Sequence, residues 1–234
     1  MVALFVILTI VGFILMDSLV QWAEARHERP LGRTLRPLGL FSMPAVETAS
    51  IPAGLFLDEG HTWVRLEPSG RTVIGMDEFV RRAIGRISAV QLPDIGTFVR
   101  RGDPLCVLFQ DGRHAVIRAP VDGVVEAVNT QLARYPETGR SDPYEEGWVC
   151  IVRPKNLAAH VRRLFVAEDA EAWLRAEIER FKEFLSLRPL SQTALGHVVP
   201  DGGRWTEGVL ELVDEESWTE FARTFLRSPR PVGE

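Results

Sequence analysis

Asp111, Gly112, Arg113 and His114 put an acid, a cation and an imidazole on one glycine-containing bend between two apolar runs. The chemistry open to that bend is narrow. A metal or acid–base site needs convergent partners. No second histidine or cysteine lies at ligand spacing from His114, and His160 and His197 belong to other segments. No Ser-His-Asp arrangement or paired carboxylate stands out. The nearest candidate for a phosphate-cradling loop, Ile95-Gly96, continues as Thr97-Phe98 rather than as a glycine run. We therefore expect no enzyme activity, no metal, no cofactor and no small-molecule substrate. An exposed bend on a rigid scaffold is where binding residues collect, so Asp111, Gly112, Arg113 and His114 form the candidate docking loop.

Side chains able to form covalent bonds are few. Lys155 and Lys182 are the only lysines in a 234-residue chain with 27 Lys+Arg. Cys106 and Cys150 each sit in an apolar, strand-like run, where buried reduced thiols are the default. A redox pair would require the two strands to be neighbours with suitable geometry. The formal net charge of −5, with no clustered basic face, excludes nucleic acid as a partner.

The elements that must hold these residues change character along the chain. Residues 2–16 are almost unbroken apolar sequence, interrupted by Asp17 and continued by Leu19, Val20 and Trp22. Residues 1–22 are expected to be a single transmembrane helix. The competing reading is a cleaved signal peptide with Ala23-Glu-Ala25 as its site, though no basic residue precedes the apolar run. Arg26, Arg29, Arg33 and Arg36 follow the span and place the C-terminal bulk in the cytoplasm by the positive-inside rule. Residues 23–54 carry Pro30, Pro37, Pro44 and Pro52 and are expected to be a linker. A hairpin is expected over 61–74 around Pro68-Ser-Gly70. Asp77 should cap a short helix ending at Gly85. Strands are expected at 87–91, 104–109, 115–118, 123–129 and 148–152, with glycines at the turns. Helices are expected at 156–165 and 168–185, the second with an apolar stripe of Trp173, Leu174, Ile178, Phe181 and Leu185 that packs inward or meets a partner. Residues 188–234 should form a small extension: a turn at 200–203, a strand at 208–213, and a helix capped by Asp214. The class is mainly β with C-terminal helices, in a small barrel or sandwich.

Four segments in this order resemble the H protein of the glycine cleavage system. They are His61-Thr-Trp63, the run from Gly75 to Thr97, Ala119-Pro-Val-Asp-Gly-Val-Val-Glu-Ala-Val-Asn129, and Asp142-Pro-Tyr-Glu-Glu-Gly-Trp148. The resemblance covers about 55–187. It implies a lipoyl-type flattened β-barrel or sandwich, and a lipoyl arm that ferries an aminomethyl group between partner enzymes. It places the attachment lysine eight residues before Pro120, which is Gly112 here. Arginine does not replace lysine, because its guanidinium stays protonated and is a poor acyl acceptor. The resemblance also implies two acidic side chains that receive the loaded arm, and these positions are Thr62 and Val116. Together these departures imply a non-lipoylated domain that serves as a binding or scaffold subunit in a membrane assembly. A working carrier would need Lys155 or Lys182, and a redox device would need Cys106 and Cys150.

Overall fold

The computed structural model describes residues 51–188 and 207–226, all within one compact unit that spans Ala45–Glu234. The expected transmembrane helix at 1–22, most of the linker at 23–54, and the turn at 200–203 lie outside the described residues. Among the described residues, no helix is long and apolar enough to cross a membrane.

Three short strands begin the fold: β1 (Leu55–Leu57), β2 (Thr62–Leu66) and β3 (Thr72–Met76). Gly70, at φ +81°, makes the expected bend between β2 and β3, where its N–H donates to Glu67 O at 2.9 Å. Helix α1 (Glu78–Ile84) follows, capped by Asp77 as anticipated, with the Asp77 side chain accepting from Val80 N–H. Next come β4 (Ala89–Gln91), β5 (Phe98–Val99), β6 (Pro104–Gln110), β7 (Arg113–Arg118) and β8 (Gly123–Val128). Short helices α2 (Thr130–Arg134) and α3 (Thr138–Ser141) lead to β9 (Trp148–Pro154). After α4 (Leu157–Val161) and β10 (Phe165–Val166), the long helix α5 spans Ala167–Ser186. A 3-10 turn, Val209–Leu212, and helix α6 (Glu215–Phe225) complete the described chain.

The strands form a seven-stranded sheet, ordered β10-β1-β2-β3-β9-β8-β5, and a three-stranded sheet, ordered β4-β6-β7. Of the expected barrel or sandwich, the strands make the sandwich, and the sheet is not closed. β4 has three residues and β5 two, too few to carry a hydrogen-bonded ladder from one sheet to the other. Corner bonds join the sheets instead, with Gly102 N–H donating to Ala119 O at 2.8 Å and Ala119 N–H to Asp103 O at 2.9 Å.

Two further expectations are corrected. The helix foreseen over 156–165 stops at Val161, because Phe165 and Val166 pair with Leu57 and Phe56 as a strand. Aromatic and β-branched residues suit a pleated edge, and the Phe165 ring stacks on Trp173 at 5.0 Å. The strand foreseen at 208–213 is the 3-10 turn, in which consecutive Val209 and Leu210 are both fully buried. Alternation would have exposed one of them.

The C-terminal extension shares the main core. Phe221 and Phe225 meet Phe79 of α1 at 6.4 and 5.8 Å and Phe181 of α5 at 5.6 and 5.5 Å. The apolar stripe of α5 thus packs inward. Backbone contact fixes the join: Gly208 N–H donates to Arg82 O at 2.8 Å and Arg86 N–H to Glu211 Oε1 at 2.7 Å. Gly85 sits at φ +81°, and a Cβ there would overlap Gly208 Cα and the Glu211 carboxylate. Gly85→Ala should lower stability by about 3 kcal/mol, read as a lower urea midpoint with unchanged slope.

Candidate functional site

The β6–β7 hairpin carries the candidate loop, and register makes it tighter than the sequence suggested. Gln110 pairs with Arg113, so Asp111 and Gly112 alone make the bend. Both have positive φ, +44° and +84°, as a two-residue type I′ turn requires. Gly112 lies at the crest, and nothing comes within 4 Å of where its Cβ would be. Arg113 and His114, expected in the loop, are the first residues of β7.

Arg113 turns back onto the extension. Its Nη1 donates to Leu210 O at 3.0 Å and its Nη2 to Val213 O at 2.8 Å. Its Nε lies 3.2 Å from Glu215 Oε2, and its guanidinium stands 5.6 Å from the centre of the Trp218 ring. Trp218 Nε1–H in turn donates to His114 O at 3.3 Å. The hairpin therefore offers Asp111 and Gly112 outward, while Arg113 is engaged within the chain. No sequence pattern linked Arg113 to Leu210 and Val213, about a hundred residues away. Between the outer side of β7 and α6 a cleft of about 280 Å³ remains, with Val116 in its lining.

A second cluster lies under α1. His61, at φ +59°, is fully buried and stacks on Phe79 at 4.3 Å. Its Nδ1 is 2.7 Å from Asp77 Oδ2, also fully buried. Its Nε2 is 3.8 Å from Glu177 Oε2, an ion-pair distance too long for a hydrogen bond. Burial alone would lower the His61 pKa, but Asp77 and then Glu177 outweigh it and raise the value to about 9. Glu177 accepts from Arg180 Nη1 at 2.7 Å, and Arg180 Nη2 donates to Thr224 O at 3.2 Å. Phe79 and Trp173 lie against the imidazole, and His61 and Asp77 are both fully buried. The role of the group is to join elements.

The motif segments meet in space. Trp63 is fully buried, donates from Nε1 to Pro143 O at 3.0 Å, and occupies the space that a Cβ on Gly75 would need. Thr62 is buried beside it. Asn129 caps α2 and donates to Glu146 O at 3.0 Å and Trp148 O at 2.8 Å.

The structure brings neither lysine to the hairpin. Lys155 follows β9, where its N–H donates to Asp122 O at 3.0 Å, at the far end of β7 from the turn. Lys182 lies on α5, with Nζ 2.7 Å from Glu179 Oε1. Cys106 and Cys150 are buried and free. Burial pushes both thiols up, Cys150 to about 12, far from the thiolate that redox exchange needs. Among the described residues no group of His, Cys, Asp or Glu is arranged to hold a metal.

A profile of the glycine cleavage H-protein family matches residues 55–177. This chain belongs to that family. The H-protein domain is similar to a probable glycine cleavage system H protein of Pyrococcus furiosus, with 33% identity over 125 residues, 53% of this chain and 92% of the relative. It is also 33% identical over 123 residues to the glycine cleavage system H protein of Psychrobacter cryohalolentis, covering 53% of this chain and 97% of that one. The crystal structure of a glycine cleavage system H protein from Mycobacterium marinum aligns with a TM-score of 0.47 and 26% identity, over 54% of this chain and 99% of that one. The match ends at 177, before the 3-10 turn and α6 that hold Arg113. The family's members are not catalysts, which agrees with the expectation that the H-protein domain is not an enzyme.

Two measurements check this geometry. Arg113→Ala removes two hydrogen bonds from a charged donor and should destabilise the extension by about 2 kcal/mol. Amide exchange should then accelerate at 209–225 more than in the sheets. His61 gives a pH signature. Its folded pKa is raised from 6.5 to about 9, so its contribution is fully present below pH 6.5 and is lost as pH rises through 9. The loss is on the order of 3 kcal/mol. The thiols, with an ordinary value of 9.0, add to it only above that pH. Melting temperature should fall between pH 6.5 and 9, and His61→Gln should flatten that fall.

Proposed function

We propose that the H-protein domain is a protein-contact subunit with no lipoyl arm on its hairpin, working with components of a glycine-cleavage-type system. The observation that carries this reading is the turn itself. Asp111 and Gly112 complete it in two residues, and neither offers an amine. An amide to lipoate needs a primary amine, and both lysines lie elsewhere on the fold. The outward Asp111-Gly112 crest is the part of the hairpin left for a partner, with His114 exposed beside it.

The names of the relatives favour a second reading, in which the domain is a lipoyl or aminomethyl carrier of the glycine cleavage system. Intact mass of the full chain, produced in cells that lipoylate their own proteins, separates the two. We expect the mass of the bare sequence. A lipoyl or octanoyl increment, mapped to Lys155 or Lys182, would establish the carrier instead.

We place the domain at a membrane, on the cytoplasmic side, through the apolar residues 1–22. In membrane fractions of the producing cell, the full chain should resist alkaline carbonate. Release into the soluble phase would remove the anchor and leave the contact role standing.

A further inference from the structure

The cleft between β7 and α6 is chemically specific in a way the contact role does not use. Its volume is about 280 Å³, just below the usual range for small-molecule sites. Its apolar lining comes from Val116 on one side and Ala222 and Leu226 on the other. Basic groups also line it: Arg118 from β7 and Arg223 from α6, with the His114 imidazole on the hairpin side. The acid in the lining, Glu215, is drawn to Arg113 Nε at 3.2 Å. The acid nearest Arg223, Glu220, is 3.6 Å from it but 2.9 Å from Arg188 Nη2, so its charge is shared. Arg118 spends one nitrogen on Gly102 O at 2.9 Å. A cleft with apolar walls and two guanidinium groups, whose neighbouring acids Glu215 and Glu220 are drawn to Arg113 and shared with Arg188, suits an amphipathic anion, because carboxylate–guanidinium hydrogen bonds are among the stronger polar contacts.

We propose that this cleft binds a small monocarboxylate with a short alkyl chain. The carboxylate would meet Arg223 and Arg118, and the chain would lie between Val116, Ala222 and Leu226. One wall belongs to α6, beyond the 55–177 span shared with the family. The site is therefore a property of this chain and not of the matched domain. It stands whether or not a lysine is lipoylated, since neither lysine lines it.

The probe is hexanoate, titrated into the 15N-labelled full chain while the Trp218 Nε1–H resonance is followed, because this indole lines the cleft and donates to His114 O. Saturable movement of that resonance is expected, with hexanol at least about tenfold weaker because it lacks the charge. Arg223→Glu should weaken hexanoate by roughly tenfold or more. Its side chain is 78% exposed, so the melting temperature should hold. Ala222→Phe should fill the cleft and abolish binding of both probes. If that variant does not fold, Arg223→Glu decides the matter. No saturable shift, equal affinity for hexanol and hexanoate, or full hexanoate affinity in Arg223→Glu would each overturn the site.

Discussion

Asp77 does two jobs with one carboxylate, and the sandwich is organised around them. Oδ1 accepts from Val80 N–H at 3.0 Å and starts α1, while Oδ2 receives His61 at 2.7 Å. The backbone repeats the link, since Asp77 N–H donates to His61 O at 3.1 Å. His61 is a non-glycine residue at φ +59°, a conformation that costs on the order of 1–3 kcal/mol and persists where its surroundings over-determine it. Here they do: Asp77 holds one ring nitrogen, Glu177 lies near the other, and Phe79 covers the face. Removing either partner would leave a charge in a fully buried place, which costs more than the pair itself contributes. Through Glu177 and Arg180 the same charges reach Thr224 O in α6. The start of the domain and its last helix are therefore tied to one buried ion cluster.

The residues that made the family legible from sequence are mostly the ones that build this frame. His61, Trp63, Gly75 and Asp77 meet at the β2–β3–α1 junction, and the segment 142–148 closes over it through Pro143 O. Their types are dictated locally: a cap at Asp77, a missing Cβ at Gly75, a turn at Gly70. Local rules were enough to place α1, the β2–β3 hairpin, α5 and α6. Features set by partners distant in sequence were not readable. Phe165 and Val166 form a strand because β1 presents a free edge, and helical spacing carries no sign of that edge. Val209 and Leu210 coil because Gly208 must approach Gly85. Sheet closure depends on strand lengths: β4 covers only 89–91 of the expected 87–91, and the two-residue β5 was not foreseen.

The hairpin shows the same division at the candidate site. That a glycine turn falls within 111–114 was legible, but that Asp111 and Gly112 alone make it follows from the register of β6 and β7. That Arg113 points into the chain was not, because its acceptors are the carbonyls of Leu210 and Val213. Carbonyls carry no sequence signature. A guanidinium is suited to such a place, since it delivers two parallel donors and a face for Trp218 at once. The arginine that read as part of a docking loop is what attaches the extension to the hairpin.

This attachment bears on how much the family can say about the chain. The relatives account for 53% of it at 92–97% of their own length, so they describe a complete domain and stop before α6. Yet Phe221 and Phe225 are as buried as Phe181, and the outer side of β7 is walled by Trp218 and Leu226. A helix that shares the core is part of the packing of the domain rather than an appendage to it. It walls the strand that follows the turn, where the resemblance puts one of the two acidic receiving positions, at Val116. Of the positions the resemblance singles out, Val116 lines the cleft beside α6, Gly112 stands at the open crest of the hairpin, and Thr62 is buried in the other sheet. A single substitution would be compatible with a carrier that moved its attachment point.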